Sequence, residues 1–81
     1  MAGAIVLINT DIGKESSVLE QLKALDSVEC AYLLYGVYDI AVKVRTTDMA
    51  TMDEVLLTEI RGLPGVRATL TLVVSKEFRR V

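Results

Sequence analysis

Histidine and tryptophan are absent from this 81-residue chain, and cysteine, proline and phenylalanine occur once each. Without His, the common nucleophile and base pairs and the usual zinc ligand sets cannot be assembled. The lone Cys30 excludes an internal disulfide framework. No metal and no cofactor are implied, and enzymatic chemistry has little to stand on. Basic residues are scattered except for Arg79 and Arg80. With a net charge of -2 and a pI near 5.0, the chain offers no electrostatic footprint for a nucleic-acid backbone. The apolar start, Ala4 to Ile8, has no basic residues ahead of it and is too short for a signal or membrane segment; it runs directly into Asn9, Thr10 and Asp11. A cytoplasmic protein is expected, with no membrane or direct DNA contact and with Cys30 as a reduced, packed thiol.

What the chain does have is aliphatic residues. Hydrophobic residues make up 52% of the sequence and mean hydropathy is +0.43, rich for a chain that can hold only one domain, residues 1–81. Ordering costs on the order of 1.5 kcal/mol per residue and nearly cancels what so small a core returns. With no disulfide to help, oligomerisation is the remaining source of stability.

The spacing of apolar residues predicts six elements in the order β, α, β, β, α, β. Ala4 to Thr10 reads as a strand buried on both faces. Val18, Leu19, Leu22 and Leu25 form the stripe of a helix that starts at Lys14 and ends at Asp26 and Ser27. Val28 to Tyr35 and Tyr38 to Arg45 read as strands joined by a tight antiparallel turn at Gly36, the first with Val28, Cys30, Tyr32 and Leu34 on one face. Thr47 and Asp48 supply N-cap residues for a second helix carrying Met49, Met52, Leu56, Ile60 and Leu63, broken by Pro64 and Gly65. Val66 to Ser75 alternates as a final strand, and the tail from Lys76 is polar and expected to be mobile. Leu25-Asp26-Ser27-Val28 and Leu63-Pro64-Gly65-Val66 echo each other, a pseudo-repeat of two βαβ-like units. This order is that of the ferredoxin-like α+β sandwich, an antiparallel four-stranded sheet with two helices on one face. The other face is left apolar, so a dimer through it is expected.

One segment stands out for binding, Leu34-Tyr35-Gly36-Val37-Tyr38-Asp39-Ile40. Two readings of it are open. Gly36 allows a turn and Asp39 faces water, or Gly36 lets a ligand approach the backbone while Asp39 receives an ammonium group. Thr69 and Thr71 lie two apart and point their hydroxyls to one face, as β-formers or as ligand partners. Tyr32, Tyr35 and Tyr38 pack at the sheet or at a subunit contact, because no basic surface accompanies them as a base-stacking platform would need.

Taken together, Ala4 to Thr10, Gly36-Val37-Tyr38-Asp39-Ile40, Leu63-Pro64-Gly65-Val66 and Thr69-Leu70-Thr71 resemble the RAM domain, the effector-binding domain of Lrp/AsnC transcription regulators. The resemblance spans nearly the whole chain. It implies a ferredoxin-like dimer, rings of dimers such as octamers, and an amino acid or related effector bound where dimers meet. Its effector residues, carried over, are Tyr35, Gly36, Val37, Tyr38, Asp39, Thr69 and Thr71. Asp39 would then anchor the ammonium, Gly36 and Val37 would give backbone contacts, and Thr69 and Thr71 hydroxyl contacts. The family's helix-turn-helix finds no room ahead of the first strand. The chain is therefore expected to act without its own DNA-binding domain, by itself or on full-length Lrp/AsnC regulators.

Two other readings share the element order. An ACT-like amino-acid-binding domain would move the ligand to Thr10-Asp11-Ile12-Gly13. A small dimeric α+β barrel enzyme would place a pocket between sheet and helices.

Overall fold

The computed structural model describes residues 1–80. Its elements are β1 (Ala2–Thr10), α1 (Glu15–Lys23), β2 (Val28–Leu33), β3 (Ile40–Thr46), α2 (Met49–Glu54), a π-helical segment that continues α2 (Val55–Ile60), and β4 (Val66–Val73). The strands form one antiparallel sheet in the order β2-β3-β1-β4, with both helices on one face. This is the ferredoxin-like sandwich that the element order predicts.

Alternation on the two central strands builds the core. Ala4, Val6, Ile8 and Thr10 of β1 and Ile40, Val42, Val44 and Thr46 of β3 are buried, in a register that sets Val6 opposite Val42 and Ile8 opposite Ile40. The helices close over them with Val18 and Leu22 from α1 and Met52, Val55, Leu56 and Ile60 from α2 and its continuation. Each fully buried aliphatic side chain of this kind stabilises the fold by about 1.5–3 kcal/mol.

Helix α1 follows Gly13, whose φ of +80° is the left-handed conformation that a chain reversal requires here. Glu15 in its first turn and Lys23 in its last both suit the helix dipole. It stops at Lys23, short of the expected Asp26, because Ala24 and Leu25 turn back on Gln21 and Leu22 with short-range backbone bonds. At α2 the expected cap is present: Asp48 accepts a 2.8 Å hydrogen bond from the Thr51 backbone N–H. Past Glu54 the helix widens, and the Arg61 N–H bonds to the Leu56 carbonyl five residues back. Val55 and Ile60, both buried, would stand about 140° apart on a regular α-helix, and the wider winding brings them nearer one face. Val55 therefore joins the core, although the regular stripe omits it.

The pseudo-repeat holds at the level of hydrogen bonds. Val28 N–H donates to Leu25 O at 3.1 Å, and Val66 N–H donates to Leu63 O at 3.1 Å. Ser27 O accepts from Arg45 N–H, and Gly65 O accepts from Asp11 N–H, each at 2.9 Å. Both turns thus tie the end of a helix to the strand that neighbours the next one.

Several expectations are corrected. The β2 to β3 connection is a six-residue loop, Leu34 to Asp39, rather than a tight turn at Gly36. A bulge between Val28 and Cys30 turns Val28 to the helix side with Ala31 and Leu33, so it no longer shares a face with Cys30 and Tyr32. On β1, Ile5 and Leu7 are only partly covered, and on the same open face Leu70 and Leu72 are 44% and 48% exposed. Cys30 is exposed on that face, not packed. The polar tail is tied down: Glu77 pairs with Lys43, with Arg45 at 3.0 Å and with Arg79 at 3.1 Å.

Candidate functional site

The loop between β2 and β3 is held by a small set of polar contacts centred on Asp39. Leu34 N–H donates to Asp39 O, and Asp39 N–H donates to Ile8 O, both at 2.9 Å. The Asp39 carboxylate then takes over where the β1 to β3 ladder would need another acceptor: Oδ2 receives the Thr10 N–H at 2.8 Å and the Thr10 hydroxyl at 3.3 Å. Asp39 therefore fixes the root of the loop to the end of β1, and one of its oxygens is engaged inside the chain. Gly36 does not have positive φ, and a Cβ built on it meets nothing within 4 Å. What Gly36 supplies is an open approach to the backbone rather than a special turn geometry.

Beneath this loop lies a cavity of about 360 Å³ lined by Glu15 and Ser16 of α1 and by Leu33, Leu34, Tyr35 and Asp39. Its volume falls at the lower end of the range of small-molecule pockets. Two carboxylates and a hydroxyl beside aliphatic walls offer acceptors to an ammonium group and a surface for an apolar side chain. Glu15 and Ser16 were not among the expected binding residues. They sit about twenty residues before the loop, and only the packing of α1 against β2 brings them to it.

The expected site residues are partly assembled. Tyr35 and Asp39 line the cavity, Gly36 and Val37 are exposed in the loop, and Tyr38 is half-buried behind them. Thr69 and Thr71 are elsewhere. They lie on edge strand β4, opposite Ile8 and Val6 across from β1, and are half-buried on the helix side. Two strand spacings, roughly 10 Å, separate their rows from the corresponding rows of β3. Thr69 borders a different cavity, of about 300 Å³, with Arg61, Val66, Arg67 and Ala68.

At the opposite end of the sheet the open face is charged. Arg45 bridges Glu29 at 2.7 Å and Glu77 at 3.0 Å, and Arg79 reaches both carboxylates. Lys43, Arg79 and Arg45 together lower the Glu77 pKa to about 2, and Arg45 with Arg79 lowers that of Glu29. Between this network and the loop end lies the apolar stretch of Ile5, Leu7, Tyr32, Ala41, Leu70 and Leu72. Among the described residues there is no group of three or more His, Cys, Asp or Glu placed to hold a metal ion, and no helix is long and apolar enough to cross a membrane.

Comparison with known proteins adds the following. The model of the Lrp/AsnC ligand binding domain matches residues 3–80. The leucine-responsive regulatory protein of Haemophilus influenzae is 36% identical over 59 residues, which are 73% of this chain and 36% of that protein. The chain spans half or less of the length of the curated relatives it matches. The crystal structure of the hypothetical protein PHS023 from Pyrococcus horikoshii superposes with a TM-score of 0.88 at 38% identity, covering 95% of this chain and 93% of that one. A Neisseria meningitidis transcriptional regulator, solved in complex with L-methionine, shares the fold with a TM-score of 0.86 at 18% identity, covering 98% of this chain and 53% of that one.

Proposed function

The chain belongs to the Lrp/AsnC ligand binding domain family, and from that premise we propose that it is an effector-binding and assembly module of transcription regulation that takes an amino acid in the cavity between α1 and the β2 to β3 loop. The observation that carries this reading is the cavity itself, in which Glu15 and Asp39 supply carboxylates and Leu33, Leu34 and Tyr35 an apolar wall. The ammonium of the effector pairs with the carboxylates, and its side chain lies against the leucines. Backbone groups at Gly36 and Val37 contact the effector from the loop. The leucine-responsive relative and the methionine complex support an amino acid as the class of effector.

Assembly follows from the open sheet face. Leu70, Leu72 and Tyr32 expose apolar surface in a contiguous row with Ile5 and Leu7, and a second copy of the same face covers it with matching chemistry. Dimers of this kind join into a ring, which brings Thr69 and Thr71 of one copy toward an effector held by another. The same face pairs with the corresponding domain of a full-length Lrp/AsnC regulator, which supplies the DNA contact.

A thermal-shift screen against the twenty amino acids, run beside light scattering for mass, tests this reading. A ligand that binds only the folded state raises the melting temperature. The expected result is a saturable rise with one or a few amino acids, accompanied by a change in mass, and weakened by Glu15→Gln. No rise with any of them at millimolar concentration removes the effector assignment. A response lost on changing Gly13 rather than Glu15 moves the site to the ACT-like position.

A further inference from the structure

Two arginines border the second cavity, and each is placed there by an irregularity of the backbone. Arg67 is the extra residue of a bulge: Ala68 lies opposite Asn9 and Val66 opposite Thr10, so Arg67 has no partner on β1. Bulges of this kind re-aim a side chain. Arg61 closes the π-helical segment, its N–H bonding to Leu56 O at 3.1 Å. With Thr69, Val66 and Ala68 they line an open depression of about 300 Å³ beside an edge strand, whose alternate N–H groups face away from the sheet.

Acidic residues outnumber basic ones, 11 to 9. Among the described residues Lys14, Arg61, Arg67, Lys76 and Arg80 make no ion pair, and of these Arg61 and Arg67 border one and the same cavity. Two guanidinium groups bordering one cavity repel each other unless an anion lies between them. Their planar forks match a carboxylate or a phosphate, and the Thr69 hydroxyl adds a further donor.

We propose that Arg61, Arg67 and Thr69 form a binding site for a small molecule bearing an oxyanion, carboxylate or phosphate. Within one chain the site shares no lining residue with the acidic cavity under the β2 to β3 loop, and although Thr69 is also turned toward an effector in the proposed ring, Arg61 and Arg67 carry the oxyanion site whether or not that cavity takes an amino acid. Its charge is of the opposite sign, so the two cavities select different kinds of molecule.

The test uses the whole chain, labelled to observe arginine Nε–H resonances, and titrated separately with inorganic phosphate and with succinate at constant ionic strength. The Arg61 and Arg67 signals move together and saturate, while Arg80, which stacks on Phe78 at 5.1 Å, stays as a control. Arg61→Gln and Arg67→Gln each weaken the affinity roughly tenfold, the loss of a charge-assisted hydrogen bond. Thr69→Val weakens it less. Both arginines are exposed, and circular dichroism confirms that the variants fold. Saturation with phosphate alone assigns a phosphorylated ligand, with succinate alone a carboxylate, and with both the shared oxyanion chemistry. Failure to saturate with either, equal movement of Arg80, or unchanged affinity in both glutamine variants overturns the proposal.

Discussion

The two faces of the sheet differ more than their sequences suggest. Towards the helices, β1 and β3 present Ala4, Val6, Ile8, Ile40, Val42 and Val44, none more than 1% exposed. On the other side the same strands present Ile5, Leu7, Ala41, Lys43 and Arg45, all only partly covered, with Leu70 and Leu72 about half exposed beside them. One face is completed by the chain's own helices, and the other is left open. A β-rich domain of this size thus divides its apolar residues between a core sealed by its own helices and a sheet face that the chain itself leaves open.

The strongest way to break that contrast is to weaken the finished side. Ile8→Ala is expected to cost about 2–5 kcal/mol in urea unfolding, because it leaves a cavity between sheet and helices. A loss below about 1 kcal/mol would mean that the helix side is not what holds the fold. On the open side, Leu72→Glu should change the unfolding free energy of the dilute chain by less than about 1 kcal/mol and convert the assembled species to single chains in light scattering. An unchanged mass would show that this face is not the contact.

Glycine gives a smaller contrast of the same kind. Gly65 has φ +94°, and a Cβ there would come within 3.1 Å of Val18 Cγ2 and 3.2 Å of Lys14 Cβ. Gly65→Ala should cost more than about 1 kcal/mol, whereas Gly36→Ala, in open space, should move the thermal midpoint hardly at all. Equal effects would contradict the packing of the Gly65 turn on α1. The smallest effect belongs to the charged end of the open face. Glu77 has its folded-state pKa depressed to about 2 from 4.5, so its contribution is fully present above about pH 4.5 and is lost as pH falls towards 2. The Glu77 carboxyl resonance should titrate well below pH 4; an ordinary midpoint near 4.5 would show the tail to be free.

The order of elements was legible from the spacing of apolar residues, but the core positions of β1 were not, because Ala4 to Ile8 is apolar throughout and reads as buried on both faces. The helix stripe that named Met52, Leu56 and Ile60 found three of the four buried residues there, and it missed Val55 because a regular 3.6-residue period cannot describe a widened turn. The bulge at Glu29 defeated the face assignment of Val28 for a similar reason: a strand period of two fails when one residue is inserted. At the site, the sequence pointed to the loop of Tyr35 to Asp39 but read Asp39 only as surface or ligand contact. Its bond to the Thr10 N–H spans 29 residues, and no local pattern encodes it. Glu15 and Ser16 were hidden for the same cause, since only tertiary packing sets them opposite the loop.

The matched turns at Leu25 to Val28 and Leu63 to Val66 divide the molecule into two equivalent halves, β1-α1-β2 and β3-α2-β4. Leu34 to Asp39 is the covalent joint between them. The cavity beside that joint draws Glu15, Ser16 and Leu33 from the first half, and Asp39 abuts the start of the second. A molecule seated there would work as a brace across the seam, so occupancy would be felt as a change in how stiffly the halves are held together.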